Sequence, residues 1–248
     1  MTDSVLYTSS NGAKNLLSTM QLIANNLSNV NTTAFHADYG NLTAAKPSDG
    51  ESPSRIHIGS NGVFTDPTPG PINYTGRELD IAIKGQGYIS VQTKQGQQAF
   101  TRAGNLNITP QGLLVTGKGD LVLGPGGAIE IPATARVSID AKGVVSAHIP
   151  GQPAKSIAEV GRIGLVEALP GTMQKGEDGL FYPRGDATPV LSTKISLERE
   201  SLEGSNVDVV RSLTDLIECS RQFDMHTKQF HTADENASKS NQLLNVQS

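Results

Sequence analysis

The chain has 248 residues, 20 of them basic and 24 acidic, for a formal net charge of −4, which argues against a bulk nucleic-acid binder or a polybasic membrane binder. With 36% hydrophobic and 4% aromatic residues, no Trp, 26 Gly and 13 Pro, the composition suits a turn-rich β body with modest cores rather than a large catalytic α/β enzyme. The single cysteine, Cys219, excludes an intrachain disulfide framework and a multi-cysteine zinc site.

Residues 4–31 read as one helix. Leu6, Ala13, Met20 and Leu27 recur every seven residues, and Leu16, Ile23 and Val30 form a second series three residues behind them, an a/d seam. Asp3 is placed to cap it. Between Ser4 and Phe35 the sole charged side chain is Lys14; the polar face is Asn11, Asn15, Gln21, Asn25, Asn26 and Asn29. Uncharged amides that find partners are buried at far lower cost than charges, so this helix is expected to be covered on several sides by other protein. The opening Met1-Thr2-Asp3-Ser4 has no basic leader and apolar stretch, so no cleaved signal peptide is expected, and no apolar run reaches the roughly eighteen residues of a membrane-spanning helix.

Residues 36–75 are punctuated by Gly and Pro and read as an extended arm or linker. Residues 76–200 carry short apolar runs between glycines, among them Leu79-Asp80-Ile81-Ala82-Ile83, Tyr88-Ile89-Ser90-Val91 and Leu121-Val122-Leu123, which predict an antiparallel β domain. Residues 205–246 return to helix. Ser205 with Asp208 three residues on suggests its start. Val209, Leu216, Phe223, Phe230, Ala237 and Leu244 keep seven-residue spacing, while the companion series Leu213, Ser220, Thr227, Asp234 and Asn241 is apolar only at its first member.

The expected fold class is therefore α+β: long N- and C-terminal helices pairing as a coiled-coil-like layer, with a central, mainly antiparallel β domain. The expected division is 1–35 N-terminal assembly helix, 36–75 arm, 76–200 β domain and 201–248 C-terminal assembly helix. Heptads at both ends with none between them suggest an assembly protein rather than a self-contained monomer.

No motif supports catalysis or cofactor binding. Gly85-Gln86-Gly87 lacks the third glycine and following helix of a dinucleotide loop and reads as a tight turn. His226 and His231, five apart on a helix, splay to different faces and read as solvated surface rather than metal ligands. Asp80 and Asp140 beside strand-like runs read as turn closers; a cell-wall carbohydrate-active enzyme built on such carboxylates is the competing class. No cofactor, no metal, no nucleic acid and no membrane insertion are expected.

Five blocks, in order, resemble one family. Ala24-Asn25-Asn26-Leu27-Ser28-Asn29-Val30-Asn31-Thr32-Thr33-Ala34-Phe35 is similar to the N-terminal signature of flagellar rod, hook and hook–filament junction proteins. Leu79 to Tyr88, Phe100 to Leu106, Gly112 to Thr116 and Glu203-Gly204-Ser205-Asn206-Val207 follow in the family's order, and Leu216 to Phe223 continues the last block. Length and the opening Ser4-Val5-Leu6-Tyr7-Thr8 most resemble a proximal-rod subunit, with distal-rod and hook subunits as near neighbours. Where the family usually carries Gly this chain has Ala34; a glycine there permits a left-handed backbone.

The resemblance implies a structural subunit of the flagellar basal body that joins a helical tube crossing the periplasm and passes motor torque to hook and filament. It implies export by the flagellar type III apparatus, and partners that are other copies and other rod subunits. With the heptads, it implies an assembly interface of Leu6, Leu16, Met20, Ile23, Asn25, Asn26, Leu27, Asn29 and Val30 at one end and Leu213, Leu216, Phe223, Phe230 and Leu244 at the other.

Overall fold

A computed structural model describes residues 2–45, 57–132, 135–148, 157–169, 171–185 and 187–245, with side chains described from residue 10 onward in the first helix and to residue 236, with residue 239, in the last. The chain divides into two compact units. One comprises Met1–Ser28, Asp38–Phe64 and Asp208–Ser248; the other comprises Asn29–Ala37 and Thr65–Val207.

The first unit holds helix α1 (Thr2–Ser28), a two-stranded ribbon of β1 (Asp38–Ala45) and β2 (His57–Thr65), and, at the other end of the chain, helix α2 (Val209–Asn245). Asn26 ties α1 to the ribbon: its amide nitrogen donates to the Asp38 carbonyl at 2.8 Å and its amide oxygen accepts the Asp38 N–H at 2.9 Å. Helix α2 starts on Asp208, whose side chain accepts the Arg211 N–H at 3.1 Å. That is the arrangement of a capping residue. The start suggested at Ser205 therefore shifts by three residues; the Ser205 hydroxyl instead accepts the Val207 N–H at 3.3 Å. His226 departs from the surface reading: its ring lies against α1 at Gly12, where a β-carbon would stand 2.9 Å from His226 Cε1.

The expected coiled-coil-like layer does not form. The described residues hold two helices, one at each end, and a large antiparallel β body; the helices touch, as at Gly12 and His226, but not along the expected stripe. Val209, Leu213 and Phe230 remain 39%, 43% and 44% exposed, and no described side chain of α2 is buried. The half-buried side chains of α2 include Ser212, Leu216, Cys219, Phe223 and His226, so Leu216 and Phe223 keep their expected place while positions 212, 219 and 226 take that of the Leu213, Ser220 and Thr227 series.

The second unit is built from short strands: β3 (Ile72–Tyr74), β4 (Ile81–Lys84), β5 (Tyr88–Gln92), β6 (Gln98–Thr101), β7 (Leu106–Ile108), β8 (Leu114–Thr116) and β9 (Leu121–Gly124). They continue as β10 (Gly127–Ala128), β11 (Arg136–Ile139), β12 (Val144–His148), β13 (Ile157–Arg162) and β14 (Leu165–Glu167). The last are β15 (Met173–Lys175), β16 (Phe181–Pro183), β17 (Val190–Leu191), β18 (Ser196–Arg199) and β19 (Ser201–Glu203). The largest sheet runs β15-β16-β6-β5-β9-β8-β7, with β14 joining β5 to β17 and β10 flanking β9. Strand β5 is its hub. It pairs with β6 along Ile89–Gln92 on one edge and with β9 and β14 end to end on the other. Strands β11-β12-β13 form a separate sheet, and β4 pairs with β18 and β3 with β19.

The sequence dictates which strands are central. Ile81-Ala82-Ile83 is apolar on both faces and is buried on both, whereas β11 and β12 alternate and bury one face. Ile81, Ile83, Ile89, Val91, Leu106, Leu114, Val122, Val145 and Ile163 form one continuous core. Gly104 allows its tightest contact: Ile81 donates to the Gly104 carbonyl at 3.0 Å, and a β-carbon at Gly104 would fall 1.7 Å from the Ile81 oxygen.

Two local features lead to predictions. A glycine inside a helix costs about 0.5–1 kcal/mol relative to alanine, so Gly12→Ala in an isolated α1 should favour helix. In the whole protein the added methyl meets the His226 ring, and the expected outcome is a net loss of thermal stability that His226→Ala reverses. Ala34, at the exit from α1, has φ +53°. A left-handed backbone costs an L-residue roughly 1–2 kcal/mol, part of which glycine's larger unfolded-state entropy offsets. Ala34→Gly is therefore expected to stabilise the chain by about 0.5–1 kcal/mol in chemical denaturation.

Candidate functional site

At the base of the β body lies a buried ionic cluster centred on Glu203, the last residue of β19 and 1% exposed. Arg102, 3% exposed and just past β6, meets it side-on: Nε lies 3.1 and 2.9 Å from Oε1 and Oε2, and Nη2 lies 2.7 Å from Oε2. Two further guanidinium hydrogens go to the carbonyls of Gly87 at 2.8 Å and Gly85 at 3.1 Å. Gly85-Gln86-Gly87 is thus a turn that aims carbonyls at a cation, the opposite polarity from the N–H cradle of a phosphate loop. His36, 2% exposed, bridges two acceptors. Its Nδ1 lies 2.7 Å from the Asp66 carbonyl and its Nε2 3.2 Å from Glu203 Oε1. The Asp66 carbonyl only accepts, so the bond to it is donated by Nδ1–H. Gly70 adds its N–H to Glu203 Oε1 at 3.1 Å.

Burial alone pushes the Glu203 carboxyl up. The hydrogen bonds from His36 and Arg102, the Arg102 charge and the Gly70 N–H outweigh it and hold the group below the ordinary carboxylate range. Around this core, Lys175 donates to the His36 carbonyl at 2.9 Å and sits 3.7 Å over the Phe35 ring. Each member of the Arg102–Glu203–His36 group is consumed by the others or by backbone carbonyls, which is the pattern of a structural anchor.

The carboxylates weighed for catalysis are also committed. Asp80 is buried and takes hydrogen bonds from Thr75 at 2.8 Å and Arg77 at 3.3 Å. Asp140 closes a turn by accepting the N–H groups of Lys142 and Val144, each at 2.8 Å. Burial and the charges of Asp215 and Glu218 push the Cys219 thiol up, away from nucleophilic thiolate. Among the described residues no group of three or more His, Cys, Asp or Glu side chains could hold a metal ion, and no helix is long and apolar enough to cross a membrane.

The expected interface residues fall into distinct environments. Leu16, Met20, Ile23, Leu27 and Val30 are half-buried, Asn25 is exposed, and Asn26 is buried against the Asp38 backbone. Asn29 takes the Thr32 hydroxyl at 3.1 Å. Leu216 and Phe223 are half-buried, while Leu213 and Phe230 are exposed. The side chains of Leu6 and Leu244 lie outside the described residues. Sequence reasoning missed Leu17, Val210, Ile217 and Met225, which are 45%, 75%, 55% and 55% exposed. Val210, Leu213 and Ile217 recur at i, i+3 and i+7 and so share one helix face. That spacing was readable, but the stronger seven-residue series beginning at Val209 selects a different stripe.

Comparison with known proteins gives this arrangement its context. A family model described as the flagellar hook protein FlgE/F/G D1 domain matches residues 82–147, and one described as the flagellar basal body rod FlgEFG protein C-terminal matches residues 198–243. The flagellar basal-body rod protein FlgF of Escherichia coli K12 is 38% identical over 98% of this chain and 99% of its own. FlgF of Salmonella typhimurium LT2 is 38% identical with the same coverage, and the rod protein FlgG of Caulobacter vibrioides is 32% identical over 90% of this chain and 93% of its own. A β body carried between an N-terminal and a C-terminal helix, with these two matched regions, defines the class as flagellar rod and hook proteins. The chain belongs to the flagellar basal-body rod protein family and, within it, to the FlgF type. It is a structural subunit of the basal-body rod.

The buried cluster yields a pH prediction. Glu203 titrates lower in the folded chain than in the unfolded one, so its stabilising contribution is full above the unfolded carboxyl pKa of about 4.3 and is lost as pH falls through its lower folded value. In denaturant titrations the wild type should lose stability below about pH 4.3 more steeply than Glu203→Gln. At neutral pH, Arg102→Met should cost about 3–5 kcal/mol, because it strands a buried carboxylate.

Proposed function

We propose that the subunit assembles along the rod axis through its terminal segments and passes motor torque toward hook and filament, making and breaking no covalent bond. One observation carries this reading: the apolar face of α2 that the single chain leaves open. Val210, Leu213 and Ile217 on one face, with Met225, Phe230 and, on α1, Leu17, are all 43% or more exposed. A monomer gains nothing from such a stripe, whereas full burial of each side chain contributes roughly 1.5–3 kcal/mol, less in proportion to what is already covered. Neighbouring rod subunits are the natural cover. The interface then comprises this stripe together with Leu6, Leu16, Met20, Ile23, Asn25, Leu27, Asn29, Val30, Leu216, Phe223 and Leu244. Asn26 acts from within, holding the ribbon on α1.

The greater identity to FlgF relatives than to the FlgG relative supports a place in the proximal segment of the rod. Delivery by the flagellar type III export apparatus completes the reading, supported by membership of the flagellar rod family. The test is substitution of the exposed stripe. Leu213→Asp with Ile217→Asp should leave the circular dichroism spectrum of the purified protein unchanged, because both side chains face solvent. The same variant should be missing from isolated basal bodies and should abolish swimming. Normal incorporation and swimming would overturn the reading.

A further inference from the structure

The β-body unit is joined to the helix-and-ribbon unit by four peptide links, at 28–29, 37–38, 64–65 and 207–208. Inside the β body the segments leading to these links are not independent. Asn206 ties them together, one residue before the last segment leaves. Its N–H donates to the Phe35 carbonyl at 3.1 Å, its amide oxygen accepts the Ala37 N–H at 2.7 Å, and its amide nitrogen donates to the Thr68 carbonyl at 2.8 Å. One residue thus holds the 29–37, 65–71 and 203–207 segments at once. Further rungs flank it. The Glu203 carbonyl accepts the Ala34 N–H at 2.8 Å, the Ala37 carbonyl accepts the Asp66 N–H at 2.8 Å, and Gly204 donates to the Pro71 carbonyl at 2.8 Å. Packing here admits no slack: a β-carbon at Gly70 would fall 2.2 Å from the Gly204 oxygen.

We propose that Asn206 is a load-sharing staple, a positioning residue that makes the connecting segments take force together. The proposal rests on the reading of the chain as a torque-bearing rod subunit. Force entering along the terminal segments pulls residues 29–37 and 203–207 against each other. Hydrogen bonds between them that are loaded side by side fail together, whereas unconnected segments are peeled one at a time. An asparagine suits this role because its amide offers an acceptor and donors in one plane, so it reaches two backbones at once; aspartate keeps only the acceptor.

The test compares the full-length chain with Asn206→Asp, Asn206→Ala and a control, Asp140→Ala, which also removes two side-chain-to-backbone hydrogen bonds but in a turn remote in sequence from the staple. Single molecules are held at constant force through handles on the two termini. Losing two hydrogen bonds should shorten the lifetime under load about tenfold in Asn206→Ala, with Asn206→Asp intermediate. Asp140→Ala should lose comparable stability in denaturant yet keep its lifetime under force. In cells, motors built with Asn206→Ala should turn normally in plain medium and stall or shear in viscous medium. Equal lifetimes under force for Asn206→Ala and Asp140→Ala overturn the staple, whatever the cells do. Shortened lifetimes with wild-type chain absent from basal bodies would uphold the staple and overturn the rod reading.

Discussion

A buried carboxylate with no route to solvent is the constraint around which this molecule is arranged. Glu203 is affordable inside the β body only because Arg102, His36 and the Gly70 N–H surround it. An uncompensated buried ion costs several kcal/mol, so each of these partners must be in place when the unit is folded. Meeting that condition brings the segment after the first helix, the return from the ribbon, the β4–β5 turn and the last strand to one point.

That convergence explains why the family-like blocks at the two ends of the chain belong to one physical device. Phe35 closes the N-terminal block with His36 directly after it, and Glu203 and Asn206 lie in the C-terminal one. They lie far apart in sequence, yet His36 bonds Glu203 and the Phe35 carbonyl accepts from Asn206. The Arg102 guanidinium, from the middle block, completes the cluster, and Lys175 covers it through the Phe35 ring. A structural subunit that hands load from its ends to its body needs stiffness at that place, and a fully satisfied polar network supplies stiffness more directionally than apolar packing does. The helices serve a different purpose. Their apolar residues are left half open, and it is this face that the proposed assembly would cover.

Much of this was legible from residue patterns, for reasons that are local. Period-two alternation and glycine turns mark the strands, since strand geometry alone sets that period. Asp140 closes a turn as its position beside a strand-like run suggests, and Gly85-Gln86-Gly87 is a turn as the lack of a following helix implies, whereas the Asp80 carboxylate is held by the Thr75 and Arg77 side chains. Two readings failed. The coiled-coil-like layer was inferred from Val209, Leu216, Phe223 and Phe230, but the half-buried face of α2 runs through Ser212, Leu216, Cys219, Phe223 and His226 and leaves Val209 and Phe230 exposed. His226 was read as surface because five-residue spacing from His231 excludes a metal pair; nothing local revealed that Gly12 leaves room for its ring.

What the sequence determined by itself is therefore a helix at each end, the β character of the body with several of its core strands, and the family, since periodicity and ordered motifs depend on near neighbours along the chain; the ribbon of β1 and β2 within residues 36–75 was not among them. Only the tertiary structure decided that Glu203, Arg102 and His36 share one buried site, that Asn206 joins three segments, and that Val210, Leu213 and Ile217 stay open to solvent. Those facts depend on which distant residues meet, and a charge or an amide in a sequence does not announce its partner across a hundred residues.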